Sequence, residues 1–133
     1  MNQLINAALD QCWGILQINL NLVTPDNTSG SQFSITSVSN TSVEITTSGG
    51  TPITIYRAAF FAALEYLAQN QHTANNPCQI GCNININQAG PLCVATRNAN
   101  GVNIMISSYI IPLLAAMNLV DINGNRPNTT WLK

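Results

Sequence analysis

The chain contains very few charged residues. Only 7% of its 133 residues are Asp, Glu, Lys or Arg, whereas a typical soluble domain contains about 25%. The formal net charge is −1, and the basic residues are Arg57, Arg97, Arg126 and Lys133. One subunit can therefore neutralise only a few phosphates, and a dimer would double that number. Weak repulsion between copies favours self-association or residence in a larger assembly.

The sequence also lacks a long apolar run and a recognisable targeting segment. No stretch approaches the ~20 apolar residues that span a bilayer. The N-terminal segment has no positively charged start, and Asp10 interrupts its apolar residues, so it does not resemble a signal peptide. These absences predict a cytoplasmic protein that has no membrane partner.

Groups that would support catalysis are scarce. The single histidine is His72, and the five carboxylates are scattered without a spacing that pairs two of them. Gly49 and Gly50 lie between two predicted strands and not before a helix, so they do not form a phosphate-binding loop. The sequence predicts a non-enzymatic protein with no cofactor and no small-molecule substrate. The less favoured alternative pairs His72 with Cys78 as base and nucleophile.

The four cysteines lack the paired C-x2-C spacing of zinc knuckles. His72, Cys78, Cys82 and Cys93 are the only set that would fill a tetrahedral zinc site. Cys12 and Cys93 fall on apolar faces of predicted helices, which favours buried thiols. Cys78 and Cys82 would bridge only within a tight turn. We therefore expect free or buried thiols and no metal site.

The first part of the chain, residues 1–56, has the pattern of a helix followed by a small antiparallel meander. Apolar residues recur at helical spacing from Asn2 to Gln17. Period-two alternation then predicts strands over residues 18–23, 33–38, 43–46 and 53–56, with tight turns between the last three. The buried side of this meander is predicted to carry Phe33, Ile35, Val38, Val43, Ile45, Ile53 and Ile55, with a register change near Val38.

The second part, residues 57–133, is predicted to be mainly helical and to end in a hairpin. Helices are expected over residues 57–71, 91–98 and 107–117, with Ser107 or Ser108 as the cap of the last one. Residues 78–87 alternate apolar and polar and suggest a strand or an extended stretch. Asn123-Gly124 favours a tight hairpin turn, while Pro127 favours a longer loop. Together the two parts predict one α+β domain over residues 1–133.

The order helix, turn, helix and hairpin over about residues 57–132 resembles the winged helix-turn-helix domain. In that family the third helix reads nucleic acid and the hairpin forms a wing. The resemblance implies that Ser107, Ser108, Tyr109 and Pro112 lie on the groove-facing side of the recognition helix. It also implies that Arg126 lies on the wing and that Arg97 lies near the nucleic-acid backbone. The predicted recognition helix lacks the Arg, Lys or Gln side chains that usually contact base edges.

Two functions follow as expectations. The first is weak nucleic-acid binding by Arg97, Ser107, Ser108, Tyr109, Arg126 and Lys133, in a homodimer that forms through the N-terminal helix with Trp13 and Leu16. The alternative is a low-charge protein-interaction or assembly component, such as a phage component, in which the winged-helix-like scaffold serves protein contacts alone. The sequence does not distinguish DNA from RNA.

Overall fold

The computed structural model describes residues 2–133, which adopt an α+β fold. Four α-helices lie at α1 (Asn2–Cys12), α2 (Arg57–Gln69), α3 (Pro91–Asn100) and α4 (Ser107–Ala116). Seven strands lie at β1 (Asn21–Val23), β2 (Gln32–Val38), β3 (Ser42–Thr47), β4 (Pro52–Tyr56), β5 (Cys78–Gln79), β6 (Val120–Asn123) and β7 (Thr129–Leu132). Short 3-10 helices lie at Trp13–Ile15 and Ile86–Gln88. The predicted fold class is thus confirmed.

The first sheet is an antiparallel meander in the order β1-β2-β3-β4. Alternate side chains of these strands point into the core, and Phe33, Ile35, Val43, Ile45 and Ile55 are buried. The pairing of β2 with β3 shifts between Ile35 and Ser37, close to the predicted change at Val38. Because one face of the sheet is buried, the period-two pattern of the sequence was sufficient to locate these strands.

The second sheet has the order β5-β7-β6, with β7 between the other two strands. The order of elements along this part of the chain is α2, β5, α3, α4, β6, β7. Helix α3 begins at Pro91 and ends before Gly101, which has a φ of 72°. After α4, Asn118 adopts a φ of 64°, the left-handed conformation that was expected at this helix end.

Two local predictions were wrong, and the two expected forms of the hairpin loop are distinguished. The strand at 78–87 is confined to Cys78–Gln79, because Gly81 turns the chain at a φ of 62°. The chain runs irregularly from there to Gln88. Ile106, and not a serine, precedes α4, and no side chain within residues 2–133 caps this helix end. The hairpin loop covers residues 124–128, the longer of the two expected forms.

Both parts of the chain contribute to one hydrophobic core. Trp13 packs edge-on against Phe60 with ring centroids 5.0 Å apart, and its indole N–H donates to Ser39 O at 2.8 Å. At the same end of the meander, where Tyr56 pairs with Ser42, the Asn100 side chain of α3 accepts a hydrogen bond from Tyr56 N at 2.8 Å. The Asn100 side-chain amide also donates to Thr54 O at 3.1 Å. Apolar packing and these polar contacts join the meander to the helices.

Candidate functional site

Helix α4 occupies the position of the predicted recognition helix, but its surface is covered. Ser107, Ile110, Ile111, Leu113 and Leu114 are fully buried. The meander lies against this helix, and Phe33 contacts Tyr109 edge-on with ring centroids 5.2 Å apart. The expectation that α4 presents an exposed, groove-facing side at Ser107 was therefore wrong. The physical reason is that α4 is apolar on nearly all sides, and such a helix is stable only in the interior.

The predicted wing is also held against the rest of the molecule. Asn27 N donates to Gly124 O at 3.0 Å across the base of the hairpin loop. Arg126 Nε lies 2.7 Å from Asp26 Oδ2, and Arg126 Nη2 donates to Ser29 Oγ at 2.8 Å. The loop around Asp26 thus engages the side chain that was expected to contact nucleic acid. The hydrogen bond from Thr28 N is the main cause that lowers the pKa of Asp26, and Ser29 and Arg126 contribute less.

The remaining basic side chains are likewise engaged. Arg57 Nη2 lies 2.7 Å from Asp10 Oδ1, and its guanidinium lies over the Trp13 ring. Lys133 Nζ lies 3.8 Å from Asp121 Oδ1. Arg97, predicted near a phosphate backbone, is only 2% exposed, so in this conformation it cannot contact a ligand outside the protein.

Several predicted residues nevertheless meet around one polar cavity of about 290 Å³, here called the thiol pocket. Ser108 and Tyr109 of α4 line it together with Cys82, Asp26 and Ser29, among others. Pro112 lies further along α4 and is buried. Ser108 and Tyr109, two residues of the predicted site, thus line a cavity, whereas the resemblance implied that they face a groove of nucleic acid.

Two cysteines meet beside this pocket. Cys93 lies in the first turn of α3 and is fully buried, whereas Cys82 is partly exposed and lines the pocket. Their approach depends on a contact between two glycines, because Gly90 N donates to Gly81 O at 2.9 Å. A Cβ added to Gly81 would lie 2.9 Å from Gly90 Cα. The absence of both side chains lets the segment after Gly81 cross the start of α3.

The surroundings of the two sulfurs favour one thiolate. The hydrogen bond from Cys82 is the main cause that lowers the pKa of Cys93 to about 5, with further help from Asn83 N–H, Ser107 and Arg97. Arg97 Nη2 lies 3.6 Å from Cys93 Sγ. The same hydrogen bond to Cys93, followed by burial, raises the pKa of Cys82. The thiolate form is therefore favoured on Cys93 and the protonated form on Cys82.

Two buried polar atoms next to the sulfurs remain without a hydrogen-bond partner of oxygen or nitrogen. Within residues 2–133 these atoms are Ser107 Oγ and Arg97 Nε. The other guanidinium nitrogens of Arg97 donate to Ile84 O at 3.1 Å and to Asn83 O. Buried polar groups are normally satisfied, so the two unpaired donors mark a place where negative charge is accommodated.

The four residues considered for a zinc site include both cysteines of this pair, together with His72 and Cys78. His72 Nδ1 lies 2.8 Å from Asn76 O. No group of three or more His, Cys, Asp or Glu side chains suitable for a metal comes together within residues 2–133. Cys78 and Cys82 are both free thiols in this structure, as is Cys93, so the tight-turn bridge between the first two is not formed.

In contrast to the polar thiol pocket, a second cavity of about 340 Å³ is an apolar groove beside α1, here called the α1 groove. It is lined by Leu4, Ile5, Ala8, Leu64, Ala68, Leu119, Leu132 and Lys133. Leu4 is 75% exposed. Trp13 and Leu16 had been expected to form the dimer contact, but they are buried within this chain. The apolar surface that α1 leaves uncovered is instead at Leu4.

Comparison of the chain with protein-family models, with curated proteins and with solved structures finds no match to any of them. No helix within residues 2–133 combines the length and the apolar character that crossing a membrane requires. The candidate sites therefore have to be judged on their own geometry.

The sequence missed the meeting of Cys82 and Cys93. Eleven positions separate them, and neither residue lies in a motif with metal or redox spacing. The available signal was the pair Gly81 and Gly90, since two glycines that flank a short segment permit close approach of its ends. For α4 the signal was the uninterrupted apolar run from Ile110 to Leu114, which is typical of a buried helix.

Proposed function

We propose that this chain is a non-enzymatic protein-interaction module that associates with a second copy of itself through the α1 groove. The observation that carries the proposal is Leu4, a large apolar side chain that is 75% exposed at the rim of an apolar groove. Single exposed leucines are common. A leucine that borders an apolar groove, however, offers a partner both a protrusion and a matching recess.

The groove suits a second copy because one surface provides both halves of the contact. In a two-fold symmetric interface the same patch occurs on each subunit, so it must complement itself. Here the protruding Leu4 and the groove next to it belong to the same face. Two such faces bring Leu4 of each copy to the groove of the other. Among residues 2–133, Lys133 is the only charged residue that lines the groove, and it is already paired with Asp121.

The low charge supports the same proposal. A net charge of −1 gives little repulsion between copies. The ion pairs of Arg57, Arg126 and Lys133 and the burial of Arg97 leave little positive charge for a polyanion. We also infer a cytoplasmic location, where thiols stay reduced, since all four cysteines are free.

Nucleic-acid binding is the second candidate, and one observation favours it. The element order from α2 to β7 and the sheet order β5-β7-β6 have the connectivity implied by the winged-helix resemblance. Binding through α4 and the hairpin would require the meander and the loop at Asp26 to move away. The covered state of both elements is the reason that we rank this function second.

The test is a comparison of oligomeric state between two matched variants. Leu4→Glu places a charge in the α1 groove, whereas Ile84→Glu changes a residue that is 82% exposed and lies outside the groove. Sedimentation velocity over a concentration series should give a dimer for the unaltered chain and for Ile84→Glu, and a monomer for Leu4→Glu. A monomeric unaltered chain, or a dimer that tolerates Leu4→Glu, contradicts the proposal.

A binding assay distinguishes the second candidate. Fluorescence anisotropy with labelled duplex DNA, single-stranded DNA and RNA at low salt should show no association. Association that weakens on Arg126→Ala, with a salt dependence reduced by about one phosphate contact, would instead support nucleic-acid binding.

A further inference from the structure

We propose that Cys82 and Cys93 form a reactive dithiol that is converted to an intramolecular disulfide by a low-molecular-weight disulfide. The inference is independent of self-association through the α1 groove. It rests on the backbone contact that holds Gly81 against Gly90 at the start of α3. It rests also on the Arg97 guanidinium, which binds Asn83 O and lies 3.6 Å from Cys93 Sγ, and on the unpaired buried donors Arg97 Nε and Ser107 Oγ.

The two cysteines differ in how far a reagent can reach them, so they have different roles in the exchange reaction. Cys82 lines the thiol pocket, so a small reagent in the pocket can reach its sulfur. Cys93 has no exposed surface and is reached only through Cys82. An outer cysteine that meets the reagent and an inner cysteine that completes the bridge are the arrangement that a disulfide exchange needs.

The charge distribution around Cys93 supports its part in the second step. Arg97 is buried, so its charge acts on the neighbouring sulfur without screening by solvent. Ser107 Oγ, unpaired with oxygen or nitrogen in residues 2–133, lies beside the same sulfur. Both groups stabilise a thiolate, and the thiolate is the attacking species in exchange.

The other two cysteines lack these features. Cys78 is buried on β5, and its Sγ donates to Gln79 O at 3.3 Å. Burial raises the pKa of Cys78 to about 11. Cys12 is partly exposed on α1, away from Cys82 and Cys93. These thiols therefore provide internal controls for the reaction.

The reaction balances in two exchange steps. The proton between the sulfurs moves to Cys93, and the Cys82 thiolate attacks the disulfide reagent. A mixed disulfide forms on Cys82, and one thiolate of the reagent leaves. That thiolate takes the proton from Cys93. The Cys93 thiolate then attacks Cys82 Sγ, which forms the intramolecular bond and releases the second thiolate. Two electrons pass from the cysteines to the reagent.

The segment after Gly81 permits the bond to form. Residues 83–88 are partly or fully exposed, and a stretch with few buried contacts adjusts at low cost. Helix α3, which carries Cys93 in its first turn, stays in place.

Peptide mapping tests the proposal. The folded chain is incubated with oxidised glutathione, the remaining thiols are alkylated, and the protein is cleaved with chymotrypsin without reduction. Cleavage after Leu92 separates Cys82 from Cys93, and a Cys78→Ser background removes the third cysteine of this region. We expect peptides joined through Cys82 and Cys93, with Cys12 alkylated. No joined peptide, or equal modification of Cys12, overturns the proposal.

Single variants test the assigned order. Cys93→Ser should retain glutathione on Cys82, because the second attack is lost. Cys82→Ser should reduce modification of Cys93 at least tenfold, because the enclosed sulfur is no longer reached through its neighbour. Cys12→Ser should react as the unaltered chain does. Rapid modification of Cys93 in the Cys82→Ser variant would contradict the assigned order.

The ultraviolet absorbance of thiolates provides a measurement that needs no variant. The unaltered folded chain should show about one thiolate per molecule at neutral pH, because the neighbouring Cys82, Asn83 N–H, Ser107 and Arg97 lower the pKa of Cys93 to about 5. This absorbance should disappear on acidification and on disulfide formation. Its absence at neutral pH would overturn the proposal.

Discussion

The side chain of Asn100 joins α3 to strand β4 of the meander through two hydrogen bonds. Asn100 lies at the end of α3 and is only 4% exposed. Its side chain accepts from Tyr56 N at 2.8 Å and donates to Thr54 O at 3.1 Å. Replacement by alanine removes both bonds and leaves two main-chain groups of β4 unpaired. We expect Asn100→Ala to destabilise the whole chain and not only α3.

The size of the effect follows from the two groups left unpaired. A buried donor or acceptor without a partner costs roughly 1–3 kcal/mol. The better helix propensity of alanine offsets about 0.5 kcal/mol of the loss. Two such groups less this offset give an expected net change in the free energy of unfolding of about 1.5–5.5 kcal/mol, which lowers Tm by roughly 5–20 °C for a domain of this length.

The assay is urea denaturation followed by circular dichroism and by tryptophan fluorescence. Trp13 reports on the contact of α1 with the meander, and Trp131 reports on β7. The control is Asn98→Ala on the same helix, since Asn98 is exposed and should change stability by no more than about 0.5 kcal/mol. A loss below about 1 kcal/mol for Asn100→Ala, or separate transitions of the two tryptophans, would refute the argument.

Two further predictions concern the thiol pair. Gly81→Ala should destabilise the chain by about 1–3 kcal/mol and abolish the thiolate absorbance, because its φ is 62° and the new Cβ would lie 2.9 Å from Gly90 Cα. Gly14→Ala, where the described residues leave open space, should be close to neutral; equal thermal shifts would contradict this assignment. The second prediction concerns pH. Because the pKa of Cys93 is lowered in the folded chain to about 5 from its ordinary value near 9, the stability due to this thiolate is fully present above pH 9. That stability is lost as the pH falls to 5. Denaturation at several pH values should show it, with a flatter profile for Cys93→Ser; identical profiles would exclude the thiolate.

Much of the fold could be predicted because local pattern and final burial agree. In the meander, Phe33, Ile35 and Ile45 alternate with polar neighbours and are buried, so period two located the strands. In α2, Phe60, Leu64 and Leu67 recur at helical spacing and are also buried. The prediction failed where the apolar-polar alternation of the sequence does not match the burial of the side chains. Ile84 continues the alternation after Cys82, yet it is 82% exposed.

The candidate site was harder to predict because it depends on contacts between distant segments. Arg97 was expected near the nucleic-acid backbone because the winged-helix resemblance implied that position. It is buried because the carbonyls of Asn83 and Ile84 satisfy its guanidinium. The thiol pair depends on the contact between Gly81 and Gly90, which no local pattern specifies. The ion pair of Arg126 with Asp26 likewise joins residues from opposite ends of the chain.

The amino-acid sequence was enough to establish the α+β class, the order of helices and strands, and the low charge. Those properties follow from side-chain periodicity and composition, which act over a few neighbouring residues. Only the folded chain decided that the meander covers α4, that Asp26 holds the hairpin loop through Arg126, and that Cys82 meets Cys93. Each of these depends on long-range packing, since two elements with apolar faces pair according to the area that they bury together and not according to their separation in the chain.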